Sequence, residues 1–344
     1  MERFFASPRT RWIAAGVLVL AIVVAPIYAI PYVNYQLALV AVWAVAILGL
    51  NFVSGYIGQL NLGQSAFVGV GAYAAVFGVQ QHWPGILVFI FACAFTGVVG
   101  LLIALPTARL RGHGFSLVSL ALPIVALPLA NRFQAFTGGA AGKSVNWMHA
   151  PAGFIFADDQ WRFYVVALIA VVSFWIGRNF VRGKFGRALL LVRDDELVAS
   201  ANGVDGYWSR VLAFTMSSLF AGAAGFMYLI TVQYVTPNTM AFLSSLYLVA
   251  ALVIGGRASV VGSIFGGVFY VLVPAIANQI DASQTTLIYG AVLIVVLFLV
   301  PDGLVSLPAR IAEVARRRRG RGDGVADVSA EGASEDATHP EPVS

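Results

Sequence analysis

The chain has 344 residues, 59% of them hydrophobic and only 11% charged, with a mean hydropathy of +0.84. Soluble domains carry about a quarter charged residues, so this composition excludes a water-soluble globule and places the chain in a bilayer. The net charge of +5 does not point to nucleic acid, because the basic residues sit between apolar segments and after the last one, as membrane topology requires.

A helix that crosses hydrocarbon needs about 20 mostly apolar residues. Ten segments approach that length, at 12–30, 35–53, 65–80, 85–105, 114–132, 161–178, 208–230, 242–257, 260–280 and 285–303. The first has a basic start and ends in PIYA, like a signal peptide. Its apolar run is too long for an h-region and further spans follow, so it reads as a retained helix. With the N-terminus in the cytoplasm and a change of side at each span, all 21 Lys and Arg residues fall inside except Arg132, Lys143 and Arg162. The expected fold class is therefore an all-α integral membrane protein of about ten transmembrane helices. Both termini are expected in the cytoplasm. The transmembrane domain is expected over 1–308, with a cytoplasmic loop at 181–207 and a tail at 309–344.

After the second span comes NFVSGYIGQLNLGQSAFVGVGAY, Asn51 to Tyr73. It carries Asn51, Ser54, Gln59, Asn61, Gln64 and Ser65 among several glycines. An unpaired polar group in hydrocarbon costs several kcal/mol, so no continuous lipid-facing helix accommodates this set. Two readings compete. One is a turn followed by a glycine-faced packing helix; the other is a broken helix whose freed amides line a polar path. The clustering of uncharged amides favours the second. The single cysteine, Cys93, lies in an apolar run and reads as a small packing residue, with no internal disulfide or cysteine metal cluster to join.

Between the fifth and sixth spans, FTGGAAGKSV (Phe136 to Val145) approaches the phosphate-loop pattern G-x-x-x-x-G-K-[ST]. Thr137 stands where the first glycine belongs, a membrane helix precedes the loop, and NWMHAPAG follows where a helix is required. The topology also puts Lys143 outside, away from ATP. The stretch reads as an external glycine turn.

The long loop between spans six and seven, Arg182 to Arg210, contains a short amphipathic helix over 186–202. Ala188, Leu189, Val192 and Leu197 form its apolar set; Arg187, Arg193, Asp194, Asp195 and Glu196 are polar, and Gly203 stands where a C-capping glycine belongs. Such a helix could lie on the inner leaflet. The acidic trio opposes an anionic membrane, which favours a cytosolic protein partner. After the seventh span, TVQYVTPNTMAFLSS (Thr231 to Ser245) is polar and proline-interrupted, a counterpart to the first interruption. Five helices per half would give the two halves opposite orientation, the inverted-repeat plan of many transporters.

No charged residue falls near the centre of a span: Asp281 and Asp302 lie at span ends and Arg210 at a span start. That argues against a proton relay. His82, His113, His149 and His339 show no ligand spacing, so no metal or other cofactor is expected. No acid, base and nucleophile pair up within the spans, so no enzyme is expected. The tail after Arg321 is acidic, small and proline-containing and should be disordered, held to the inner-leaflet lipid by Arg316 to Arg319.

Four stretches, in order, resemble branched-chain amino acid ABC transporter permeases of the LivM type. GYIGQLNLGQSAFVGVGAY looks like the signature after their second helix, and TGGAAG resembles their external turn. GRALLLVRDDELVASANGVDGYWSRVLAFTMSSLFAGAAGFMYL is similar to their cytoplasmic coupling segment and the helix after it. IGGRASVVGSIFGG is similar to their G-G-x-G-x-x-x-G-P-x-x-G stretch. The resemblance is collinear over about residues 35–305. It departs from the pattern at Asn61 for serine, Ala258 for glycine and Ser263 for proline, which leaves the exact substrate open.

The resemblance implies a permease subunit, not an enzyme, in a bacterial inner membrane. It would pair with a second, homologous permease subunit. Two cytosolic ATPase subunits would drive it, and an external solute-binding protein would deliver leucine, isoleucine or valine. It also implies that Gly186, Arg187, Ala188, Arg193, Asp194, Glu196, Ala199 and Gly203 contact the ATPase, and that Gln59, Asn61, Gln64 and Ser65 lie near the translocation path. The same machine carrying urea, short amides or other small organic solutes remains open, as does a stand-alone secondary carrier, which would leave the coupling-type loop unexplained.

Overall fold

The computed structural model describes Pro26 and residues 30–110, 113–150, 157–281, 284–299 and 303–306. The expected first span, nearly all of 12–30, lies outside the described residues, as do the arginine run, His339 and the tail. Val305 closes a compact unit that begins at Phe5; of the second unit, Met1–Phe4 with Ser306–Ser344, only Ser306 is described.

Each of the nine remaining expected spans coincides with a helix. Helix α1, Pro31–Asn51, opens on a proline, whose missing N–H and fixed φ suit a first turn. It runs on as a π-helical turn, Phe52–Ile57. Next come α2 (Gln64–Gln80), α3 (Gly85–Thr107) and α4 (His113–Arg132), then α5 (Asp158–Arg182) and the short α6 (Lys184–Asp194) and α7 (Glu196–Ala201). The chain continues through α8 (Gly206–Val232), α9 (Phe242–Gly255), α10 (Val260–Ile280) and α11 (Thr285–Leu299). Among the described residues, six segments are long and apolar enough to cross a membrane: Pro31–Ile57, Gly85–Thr107, Gly114–Arg132, Asp158–Arg182, Gly206–Val232 and Val260–Gln279. Helices α2, α9 and α11 are shorter, with 17, 14 and 15 residues. The chain is a multi-pass membrane protein.

Helices α1 and α8 form the centre. Their most apolar stretches are 72% and 78% buried, against 22–39% for α3, α4, α5 and α10. The outer helices turn aliphatic and aromatic side chains outward, among them Leu102, Leu117 and Leu168. That surface would associate in water and matches hydrocarbon in a bilayer.

Small residues set the contact between α2 and α8. A Cβ on Gly71 of α2 would lie 2.6 Å from the Gly222 Cα of α8, and one on Gly225 would meet the α2 backbone at Val68 and Ala72. The two backbones therefore touch, as membrane helices do where lipid provides no hydrophobic drive for association. Within Asn51 to Tyr73 the structure contains both a glycine-packed helix, at Gly71, and an interrupted helix, between Gly58 and Gly63.

Candidate functional site

The helix that begins at Pro31 ends in two steps. Its last turn widens to π, a form frequent at functional positions. Gly58 then takes a left-handed φ of 79°, and regular structure resumes at Gln64. Six residues of irregular backbone thus lie between two apolar helices, where every N–H needs a partner.

Side chains supply those partners, which explains the crowd of amides and hydroxyls. The Asn61 N–H donates to Ser54 Oγ (3.0 Å), Leu62 N–H to Ser119 Oγ of α4 (3.1 Å) and Gly63 N–H to Asn61 Oδ1 (2.9 Å). Gln64 ties three helices: its Nε2 donates to the Ala46 carbonyl of α1 (2.9 Å), and its Oε1 accepts from Ser217 Oγ of α8 (2.9 Å). Ser65 N–H donates to Ser245 Oγ (3.0 Å), and Ser65 Oγ donates to the Ala241 carbonyl (3.1 Å).

The two interruptions read from the sequence therefore meet, Ser65 of the first against Ala241 and Ser245 of the second. Asn61, Gln64 and Ser65 are fully buried at this junction, whereas Gln59 is half-buried at its edge. One buried donor, Asn61 Nδ2, has no hydrogen-bond partner.

Other stretches converge on the same place. Asn51 donates from Nδ2 to the Ser259 carbonyl (2.9 Å) and accepts at Oδ1 from Ala258 N–H (2.9 Å). It thereby holds the turn before α10, where Ala258 has a φ of 54°. The glycine turn attaches to the second interruption: Lys143–Ser144 pairs antiparallel with Tyr234–Val235, and Tyr234 Oη donates to the Ala141 carbonyl. Lys143 Nζ donates to Gln80 Oε1 and to the Ala135 carbonyl, each at 3.1 Å. Residues 145–150 after it are irregular, so the frame of a phosphate loop is absent there.

The loop from Gly183 to Asp205 corrects one expectation. It holds two helices, not one over 186–202. Asp195 takes an extended conformation and caps α7, accepting from Leu197 N–H (2.7 Å) and Val198 N–H (3.2 Å). An aspartate that binds the N–H groups two and three residues on starts a helix and cannot continue one. The break also turns Leu197 outward, 83% exposed, so it is not part of the buried apolar set; Leu189 and Val192 are. Gly203 does close α7, at a φ of 75°, with Gly203 N–H to the Ser200 carbonyl (3.0 Å) and Val204 N–H to the Ala199 carbonyl (2.9 Å). That is a Schellman end. Gly186 lies so close to the Val181 carbonyl that a Cβ would collide with it.

Within this loop the expected contact residues divide. Arg187 and Asp194 are exposed, beside exposed Leu197 and Val198. Ala188 is half-buried, and Gly186 and Ala199 are buried. Two reach the helical body: Arg193, exposed along much of its length, donates from Nη1 to the Gly55 carbonyl (2.8 Å), and half-buried Glu196 pairs with Arg210 Nη2 (2.7 Å). Arg210 also donates to the Ala108 carbonyl at the end of α3 (3.2 Å). Sequence reading placed Arg210 only at a span start. Its separation from an acidic residue in the preceding loop was the signal available. A cleft of about 500 Å³ opens here, lined by Arg109, Glu196, Asp205 and Arg210 among others.

A second cavity of about 560 Å³ lies between α2, α3 and α4, walled by Tyr73, Phe77, Phe91, Phe95, Leu129 and Met240. Its walls are almost wholly apolar and suit aliphatic groups, with Tyr73 and Thr137 the hydroxyl-bearing residues among them.

The family model described as branched-chain amino acid transport system / permease component matches residues 32–297. The chain is 29% identical over 288 residues to the high-affinity branched-chain amino acid transport system permease protein LivM of Salmonella typhimurium, covering 76% of this chain and 67% of that protein. To the protein of the same description in Escherichia coli it is 28% identical over 287 residues, with the same coverage. The permease protein BraD of Pseudomonas aeruginosa, from a system of the same description, is 22% identical over 286 residues, 77% of this chain and 92% of that one.

Proposed function

The chain belongs to the branched-chain amino acid transport permease family, and on that premise we propose that it is the membrane-spanning subunit of an ATP-binding-cassette importer. Its substrates are leucine, isoleucine and valine, handed over by an external binding protein. It works with a second, homologous permease subunit and two cytosolic ATPase subunits in a bacterial inner membrane. It has about ten spans, with both termini inside and two halves of five helices in opposite orientation. The chain itself performs no chemistry; ATP is hydrolysed on other polypeptides.

One observation carries this reading: the α6–α7 segment touches the broken helix directly, through Arg193 and Gly55. A segment that presents exposed Arg187, Asp194, Leu197 and Val198 on one side and grips the helix break on the other is suited to pass a partner's movement inward. Gln59, Asn61, Gln64 and Ser65 flank the translocation path, the last three as the hydrogen-bonded junction whose rearrangement opens it. The apolar cavity beside α2 lies close enough to that junction, through Met240, to receive an aliphatic side chain.

The partner-facing surface is tested by placing a charge on it. Leu197→Asp adds a carboxylate to a solvent-exposed position, so the permease should fold and lose co-purification of its ATPase subunits in detergent. ATPase subunits retained at unsubstituted levels would contradict the assignment.

A further inference from the structure

Arg193 was expected to contact the ATPase; it is exposed, yet one nitrogen of its guanidinium reaches the membrane-spanning body. Its Nη1 donates to the Gly55 carbonyl at 2.8 Å, and its aliphatic stem packs on Gly58, where a Cβ would lie 3.1 Å from Arg193 Cγ. The carbonyls of a helix's last turn have no partner within the helix and form the negative end of its dipole. Arg193 therefore caps the end of α1 from another helix, with a charge-assisted hydrogen bond.

Gly55 has no freedom to move alone. A Cβ there would collide with Asn51 Oδ1 and lie 2.7 Å from the Ala258 nitrogen, so its backbone is wedged between α1 and the turn before α10. A shift of Arg193 is felt at the Gly55 carbonyl through that bond and, because Gly55 is wedged, at the neighbouring start of the Gly58–Gly63 break. That break is not fully satisfied as it stands, since Asn61 Nδ2 is buried without a partner. A segment with one orphaned donor gains a hydrogen bond by rearranging, which gives it a reason to have a second arrangement.

Resting on the importer reading, we infer that Arg193 is a positioning residue that transmits movement of the α6–α7 segment to the broken helix, and not a residue that holds the ATPase. Arg187, Asp194 and Leu197 hold the ATPase; Arg193 delivers its motion to Asn61, Gln64 and Ser65.

The test uses the assembled importer in vesicles, with binding protein and labelled leucine, and compares the unsubstituted chain with Arg193→Gln and Arg193→Lys. ATPase co-purification and the rate of ATP hydrolysis are measured alongside uptake. Arg193→Gln should lower uptake about tenfold, a typical coupling between sites. It should leave recruitment unchanged and hydrolysis nearly so, so that more ATP is spent per leucine. Arg193→Lys, which keeps a charged donor, should recover part of the uptake.

A parallel loss of recruitment and uptake would make Arg193 a docking residue and overturn the inference, as would uptake unchanged in both variants. If the unsubstituted assembly takes up no leucine, the importer reading itself fails, and that outcome is separate because it does not depend on position 193.

Discussion

Arg210 is 8% exposed and meets Glu196, itself 28% exposed, at 2.7 Å. A charge so placed survives because it is paired and because its guanidinium also reaches the Ala108 carbonyl. Removing one partner strands the other, which costs about 3–5 kcal/mol when both are fully buried. The partial exposure of Glu196 reduces that, so Arg210→Ala should destabilise by about 2–3 kcal/mol. Thermal unfolding in detergent should show a lowered midpoint, and an unchanged midpoint would mean the pair contributes nothing. Single residues were legible unevenly. Gly203 was readable because a left-handed helix end has a chemical signature. Leu197 was not, since an apolar residue in a helical pattern is assigned inward until a cap elsewhere rotates it. The role of Asn51 was equally hidden, because its partners at Ala258 and Ser259 are distant in sequence.

Among the elements, α2 and α8 meet backbone to backbone, because Gly71, Gly222 and Gly225 carry no side chain at the contact. No side chain can be admitted there without separating the helices. Gly71→Leu should therefore abolish a stable fold or lower its unfolding midpoint sharply, whereas an outward-facing change such as Leu168→Ala should leave it nearly unchanged. Size-exclusion profiles and unfolding midpoints in detergent distinguish the two, and a well-folded Gly71→Leu would contradict the packing described. The long apolar helices were legible because the bilayer demands about 20 apolar residues in a row. The division between α6 and α7 was not. Asp194, Asp195 and Glu196 fit the polar side of one continuous helix, and only the cap made by Asp195 shows that the backbone turns between them.

At the scale of the molecule, a connected set of contacts runs from one loop region to the other. The glycine turn pairs with Tyr234–Val235, the second interruption holds Ser65, and Asn61 bonds back to Ser54 beside Gly55, which Arg193 caps. The motifs were visible in the sequence as separate stretches. Their convergence was not, because it depends on pairings across more than a hundred residues that no local pattern encodes. Under the proposed importer reading, these contacts pass movement through the chain and the energy is supplied by the ATPase subunits. The most direct measurement is uptake of labelled leucine into vesicles, with the chain alone and then with its second permease subunit, ATPases and binding protein. The account predicts ATP-dependent uptake only in the complete assembly, competed by isoleucine and valine but not by urea. Uptake by the chain alone, or none of leucine by the complete assembly, would contradict it.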